Sequence, residues 1–220
     1  MSKMIVGNWK MNGSVKLVDE FIAGLDKQVI LGLPSIFIAY AHLKNPEMQI
    51  AAQDCSVFGD FGAHTGEISA KMLADVGCKY VILGHSERRK NMNSDTIDNI
   101  LLKLRNVVQN KMTAILCVDE NYMELLDKSI SDFIKTHTNE IVIAYEPISA
   151  IGTGIIPSPD DINKSLKNIK LHINNVKTLY GGSVNTKNIT EILSIPFSDG
   201  VLVGGASLNL YDINTMASYL

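Results

Sequence analysis

Residues 141–157 read IVIAYEPISAIGTGIIP, an apolar run that ends in one carboxylate, Glu146, and continues into a loop of small residues. The run is short and rich in β-branched residues, and its apolar positions do not alternate with polar ones. This pattern is typical of a strand covered on both faces of a parallel sheet. Pro147 disfavours helical geometry at the residue before it, so we expect the strand to stay extended up to Glu146.

Seven further apolar runs of the same kind occur along the chain, and each is followed by a turn and a segment with helical spacing. Eight strand–helix units predict a single domain, residues 1–220, folded as a closed (β/α)₈ barrel with shortened outer helices and loops. An open doubly wound sheet is the alternative, but GNWKMNG at the end of the first run is not the GxGxxG turn of dinucleotide-binding sheets. The eight runs are MIVGNW, QVILGL, MQIAAQ, KYVILG, TAILCV, EIVIAY, KTLYGG and GVLVGG.

Two of the intervening segments predict helices clearly, residues 14–27 and residues 94–110. Ser94 is a plausible cap for the second, because its hydroxyl can accept a hydrogen bond from the first N–H groups of the helix. At 220 residues the chain is shorter than the roughly 250 residues usual for such barrels, which predicts lean loops and outer helices.

Composition excludes several classes of protein. The net charge of −3 argues against a nucleic-acid binder, and no apolar stretch reaches the roughly 18 residues that a membrane span needs. The three cysteines, Cys55, Cys78 and Cys117, are far apart and odd in number, which fits a reducing cytoplasm. Cys117 lies in an apolar run, so we expect it in the core rather than as a reactive thiol.

The carboxyl ends of barrel strands meet at one mouth, so residues that follow the runs are the candidates for a site. Two glycine pairs, Gly181–Gly182 and Gly204–Gly205, follow the last two runs and precede helices. Backbone N–H groups without a neighbouring Cβ, together with a helix N-terminus, predict a phosphate site. The alternative is that the glycines only permit tight turns.

Three side chains at other strand ends carry charge or hydrogen-bonding groups. Asn8 and Lys10 follow the first run, where a lysine would bind an anion, unless it is simply solvated. His85 follows the fourth run at the start of a helical turn, which favours a neutral imidazole, although a lone histidine is more often structural. Residues 87–89 are Glu-Arg-Arg, which we interpret as a structural ion-pair cluster.

Glu146 completes the set as a carboxylate at an apolar rim, where desolvation makes a carboxylate a better base. The alternative is a buried Glu paired with a basic side chain. We find no metal-ligand cluster, no nucleophile with its base and no cofactor motif in the sequence. A base beside donors and a phosphate cradle predicts proton abstraction next to the carbonyl of a small phosphorylated ketone or aldehyde, without metal or cofactor.

At these residues the sequence resembles the triosephosphate isomerase family. The matching segments are GNWKMNG, AAQDC, GAHTGEIS, GHSERR, AYEP with AIGTG, YGGSV and VGGASL, spread over residues 7–208. The resemblance implies a TIM barrel in which Glu146 is the base, His85 the neutral electrophile, Lys10 the cation and Asn8 a second donor. It also implies that the phosphate is held by Gly152, Ser183, Gly204 and Gly205.

The implied reaction interconverts dihydroxyacetone phosphate and D-glyceraldehyde 3-phosphate through an enediol(ate), as part of glycolysis and gluconeogenesis. The Gly-containing loop after Glu146 would then be a lid that excludes water. The resemblance further implies a homodimer in which the loop around Thr65 enters the neighbouring subunit near Asn8 and Lys10. The chain departs from the family pattern at Ser149, where the family usually has Trp. The rival functions are another sugar-phosphate barrel enzyme and a barrel without catalysis.

Overall fold

Eight parallel strands form a closed barrel in the computed structural model, which describes residues 3–91, 95–150 and 156–220. Each strand pairs with the next in the sequence, and the last pairs with the first, Met4 opposite Gly200 and Gly7 opposite Val203. The predicted (β/α)₈ barrel is therefore confirmed. The strands are β1 (Met4–Asn8), β2 (Val29–Leu33), β3 (Gln49–Ala52), β4 (Tyr80–Leu83), β5 (Thr113–Val118), β6 (Ile141–Tyr145), β7 (Lys177–Tyr180) and β8 (Gly200–Val203).

The strands bury both of their faces, which explains why their sequences do not alternate. In β6, Val142 and Ala144 belong to a cluster inside the barrel, whereas Ile141 and Ile143 belong to the larger cluster between the strands and the helices. Cys117 lies in the inner cluster and is fully buried, as the sequence predicted.

The helices surround the barrel, and the first turns of six of those described are capped by a short polar side chain: Ser14, Ser69, Thr96, Asp127, Ser158 or Asn209. Ser14 caps α1 by accepting a hydrogen bond from the Leu17 N–H, and α1 ends at Gly24, earlier than predicted. Thr96 caps α5, so the prediction of Ser94 as this cap is wrong; Ser94 itself lies outside the described residues. The helices in the described part of the chain are α1 (Val15–Gly24), α2 (Ser35–Lys44), α3 (Ala70–Asp75), α4 (Ser86–Asn91), α5 (Ile97–Gln109), α6 (Tyr122–Leu125), α7 (Lys128–Thr136), α8 (Pro159–His172), α9 (Ile189–Ser194) and α10 (Leu210–Ala217).

These helices are short, as the length of the chain predicted. Among the residues that the structure describes, no helix is long and apolar enough to cross a membrane.

Candidate active site

A cavity of about 370 Å³ opens at the carboxyl ends of the strands. The structure brings seven of the predicted site residues together there, while Gly152 lies outside the described residues. The lining consists of Asn8, Lys10, His85, Glu146, Gly181, Gly182, Ser183, Val184, Asn185, Leu202, Gly204, Gly205 and Ala206.

Glu146 stands at the end of β6, where its backbone N–H donates to the carbonyl of Val118 at 2.7 Å. The residue is 2% exposed, although its carboxylate lines the cavity. Space for the side chain comes from Gly181, because a Cβ added there would lie 2.7 Å from Glu146 Cγ. Glu146 Oε2 has no hydrogen-bond partner within the described ranges of the chain, so this oxygen can take up a proton.

His85 follows Gly84, whose φ of +65° is a left-handed conformation that glycine adopts without steric strain. The imidazole Nδ1 accepts a hydrogen bond from the Glu87 backbone N–H at 3.2 Å. A ring nitrogen that accepts carries no proton, so this contact assigns the proton of the neutral ring to Nε2. Nε2 lies 3.2 Å from Glu146 Oε1, within reach as a donor.

Arg89 fixes the turn that carries His85. Its guanidinium donates from Nη1 to the carbonyl of Gly84 and, at 2.9 Å, to that of Cys117. Its Nη2 donates to Asp119 Oδ2 at 2.8 Å. The planar guanidinium thus ties the end of β4 to the end of β5.

Lys10 reaches the same mouth from the end of β1. Its backbone has a φ of 55°, and its N–H donates to Asn8 Oδ1 at 3.0 Å. The ammonium lies 2.6 Å from Glu87 Oε1, and both side chains are partly exposed, so solvent weakens this ion pair.

Residues 87–89 form ion pairs, as the sequence predicted. Their partners, however, are side chains elsewhere in the chain. Glu87 pairs with Lys10, and Arg89 pairs with Asp119. The third member, Arg88, lies 2.6 Å from Asp54. These partners come from distant segments, so they could not be named from the sequence.

The glycine pairs line the same cavity. A Cβ at Gly182 would lie 2.2 Å from Tyr180 Oη, which shows how closely the backbone lies over this buried ring. Burial raises the pKa of the Tyr180 phenol, so the ring stays neutral. Ser183 donates from Oγ to the Ala150 carbonyl at 2.7 Å, so this hydroxyl proton is engaged within the protein.

The helices after the two glycine pairs differ from the prediction. A short 3₁₀ helix, Gly205–Leu208, follows β8 directly, as expected. After β7, however, α9 begins only at Ile189, because residues 181–188 form a turn closed by Asn185 and Asn188. The prediction that a helix begins immediately after Gly181–Gly182 is therefore wrong.

Four lining residues, Val184, Asn185, Leu202 and Ala206, were not singled out from the sequence. A signal was available for three of them, since Val184 and Asn185 come soon after the first glycine pair and Ala206 directly follows the second. Within residues 3–91, 95–150 and 156–220, no group of three or more His, Cys, Asp or Glu side chains is arranged to hold a metal ion.

A family model described as triosephosphate isomerase matches residues 3–220 of the chain. The chain belongs to the triosephosphate isomerase family. The resemblance predicted from the sequence is thereby confirmed, and with it the expectation of an isomerase.

Relatives of the triosephosphate isomerase family match over almost their full length. The triosephosphate isomerase of Wolbachia pipientis is 40% identical to the chain, over 95% of the chain and 90% of the relative. That of Pseudomonas savastanoi is 38% identical, over 94% and 93% respectively. The crystal structure of triosephosphate isomerase from Bartonella henselae superposes with a TM-score of 0.83 at 28% identity, covering 100% of the chain and 99% of that structure.

Proposed function

We propose that the protein interconverts dihydroxyacetone phosphate and D-glyceraldehyde 3-phosphate by proton transfer through an enediol(ate), in glycolysis and gluconeogenesis. The family assignment supports the reaction. The observation that carries it for this chain is the 3.2 Å separation of His85 Nε2 and Glu146 Oε1 in a cavity that also contains Lys10. No cofactor or metal takes part in the proposed reaction.

Glu146 is the base that removes the proton from carbon. The residue is 2% exposed and lines the cavity, and its Oε2 has no hydrogen-bond partner among the described residues, so this oxygen is not committed to another protein group. The alternative considered from the sequence was a buried Glu paired with Lys or Arg; among the described residues, the basic side chain within ion-pair distance of Glu146 is instead His85.

His85 is the electrophile that polarises the substrate carbonyl. His85 lines the cavity, and Nε2, which lies 3.2 Å from Glu146 Oε1, would exchange Glu146 for a substrate oxygen when substrate binds. A neutral imidazole can donate this hydrogen bond without already carrying a charge, and it stabilises the oxygen as negative charge develops there.

Lys10 and Asn8 bind the oxygen-rich side of the substrate. The Lys10 ammonium supplies a positive charge to the cavity, and its pairing with Glu87 holds the side chain over the mouth. Asn8 uses Oδ1 to accept from Lys10 N–H, which leaves its NH₂ group as the donor to substrate.

The phosphate is held by the backbone N–H groups of Ser183, Gly204 and Gly205, with Gly152 as a fourth contact from the loop after Glu146. Three of these residues, Ser183, Gly204 and Gly205, line the cavity. A Cβ at Gly205 would meet no atom within 4 Å, so its backbone is open to a ligand. Residues 151–156 act as the lid over this phosphate.

The active form is a homodimer in which the loop around Thr65 enters the neighbouring subunit beside Asn8 and Lys10. Support comes from exposed apolar side chains on both proposed surfaces, Met11 next to the mouth at 97% exposure and Phe61 on the loop at 76%. Thr65→Glu should give monomers of poor activity, whereas Thr136→Glu, at the exposed end of α7, should leave the dimer intact. A fully active Thr65→Glu monomer in sedimentation would exclude the interlocking loop.

A coupled assay that detects dihydroxyacetone phosphate formed from D-glyceraldehyde 3-phosphate tests the function. Activity abolished by substituting Glu146 is the expected outcome. Another sugar-phosphate barrel enzyme would turn over a different phosphorylated substrate, and a barrel without catalysis would turn over none.

We also propose that residues 1–220 work as one domain and that the protein acts in the cytoplasm. Pairing of β1 with β8 supports the first point, because both ends of the chain are needed to close the barrel. The second rests on the small number and wide spacing of the cysteines.

A further inference from the structure

One side of α5 and its C-cap presents three polar side chains to the loop after β3: Lys103 and Asn106 from the helix, and the C-cap residue Asn110. Their spacing of three and four residues puts them on one side of the helix. Lys103 Nζ lies 2.8 Å from Asp54 Oδ1, and Asn110 Nδ2 lies 3.2 Å from Asp60 Oδ1. We call these three residues the α5 ladder. Its contacts run along the first half of the loop, from Asp54 to Asp60.

Asn106 is the centre of the ladder. Its Nδ2 lies within hydrogen-bond distance of three successive carbonyls, at 3.3 Å from Ser56, 3.2 Å from Val57 and 2.9 Å from Phe58. Three consecutive carbonyl oxygens can approach one amide only when the backbone is tightly curled. Asn106 therefore fixes the curvature of the loop rather than one point of it.

Lys103 anchors the base of the ladder. The side chain is only 3% exposed and lies between Asp54 and Asp95, whose oxygens are 2.8 and 2.5 Å from Nζ. A buried ammonium held by two carboxylates strongly resists displacement, because moving it leaves uncompensated charges. Asp54 also pairs at 2.6 Å with Arg88, which connects the ladder to the helix that follows His85.

The shape set by the ladder continues into the half of the loop that carries Thr65. The Phe58 ring stacks on His64 with 3.5 Å between centroids and 3° between planes. The base of the loop is closed by a 2.9 Å hydrogen bond from the Ser56 N–H to the Ile68 carbonyl. Thr65 lies at the exposed end of this closed structure.

We propose that the α5 ladder is the device that shapes residues 54–69 within one subunit so that a second copy of the chain can receive the loop. A segment ordered before association loses less conformational entropy when it binds, so order in the free subunit strengthens the dimer. The partner is a second copy, because the loop shaped in this way is the one proposed to complete the neighbouring site. The inference rests on that proposed interlocking dimer.

Asn106→Asp tests the ladder, because aspartate keeps the size of asparagine but cannot donate and places negative charge against three carbonyl oxygens. Two quantities are measured: hydrogen exchange of the backbone amides of residues 56–69, and the dimer dissociation constant from sedimentation across a dilution series. Gln109→Glu, which adds the same negative charge at an exposed position of the same helix, is the matched control. We expect at least tenfold faster exchange and at least a tenfold larger dissociation constant for Asn106→Asp only.

A second variant, Asn110→Asp, acts at the outer end of the ladder, where it opposes Asp60 with a like charge. It should shift both quantities in the same direction by a smaller factor, and it tests the ladder if Asn106→Asp does not fold. Unchanged exchange, or faster exchange with an unchanged dissociation constant, overturns the inference.

The Thr65→Glu variant separates the two proposals. If Thr65→Glu forms monomers while both ladder variants behave like Gln109→Glu, the ladder is wrong and the interlocking dimer stands. If Thr65→Glu leaves assembly unchanged, or the unaltered protein is monomeric at every concentration, the interlocking dimer is wrong and the inference fails with it.

Discussion

His85 Nε2 lies 3.2 Å from Glu146 Oε1, and this contact joins the ends of β4 and β6 across the mouth of the barrel. The Glu87 N–H donates to the other ring nitrogen, which leaves Nε2, the nitrogen beside the carboxylate, to carry the proton. Acid–base chemistry in the site depends on this arrangement, because the donor and the base face the same space.

The donor role of His85 predicts the effect of His85→Gln. A glutamine does not reproduce the geometry of the imidazole donor, so turnover should fall by roughly 10²–10³-fold, the loss typical of removing one oxyanion donor. The matched variant His172→Gln changes a histidine on α8 that pairs with Ser131, away from the mouth, and should retain wild-type turnover. Equal turnover in the two variants would contradict the role of His85.

The space that Gly181 leaves for Glu146 predicts that Gly181→Ala damages catalysis. The new Cβ would lie 2.7 Å from Glu146 Cγ, so the carboxylate must move, and turnover should fall by at least about tenfold in a folded barrel. Gly24→Ala is the control, because its Cβ would meet Leu210 Cδ2 at 2.9 Å, outside the cavity. Steady-state kinetics with circular dichroism separates a displaced base from a misfolded chain.

The proposed lid predicts a side reaction. An enediolate that is open to water can expel phosphate and form methylglyoxal, so deletion of residues 151–154 should lower isomerisation by orders of magnitude and raise phosphate release per turnover. Product analysis by chromatography and a phosphate assay measures both. Normal isomerisation, or no rise in phosphate release, would show that these residues are not the lid.

Burial of the cysteines predicts slow thiol chemistry. Burial raises the pKa of Cys55 and of Cys78 to about 12 and that of Cys117 well above its usual range. At pH 8 the thiolate fraction is then on the order of 10³ lower than for an ordinary thiol, so the folded protein should react with an alkylating reagent hardly at all. Mass spectrometry should find three modified cysteines after denaturation; rapid modification without denaturant would contradict this burial.

The barrel could be predicted from the sequence because both faces of every strand are buried, which removes polar positions from the runs themselves. The site residues at the strand ends followed from the same topology, since parallel strands bring those ends together. The first residue of a helix could not be predicted in the same way. Ser94 and Thr96 both have a hydroxyl that can cap a helix, and the folded chain uses Thr96.

Contacts between residues that are far apart in the sequence could not be predicted, because they form only when the chain folds. Lys10 and Glu87 are 77 residues apart, and Asn106 is 48 residues from Phe58. Nothing local to either residue of such a pair specifies the other. The hydrogen bond from Arg89 to the Gly84 carbonyl could not be predicted for the same reason. The guanidinium also donates to Asp119, which follows the next strand, β5.

Turnover of Glu146→Gln with D-glyceraldehyde 3-phosphate at saturation tests the central claim most directly. Glutamine keeps the contacts with Gly181 but cannot accept the proton, so we predict a fall of roughly 10²–10⁴-fold, about 3–5 kcal/mol of activation free energy. Turnover within tenfold of the unaltered protein would contradict proton abstraction by Glu146.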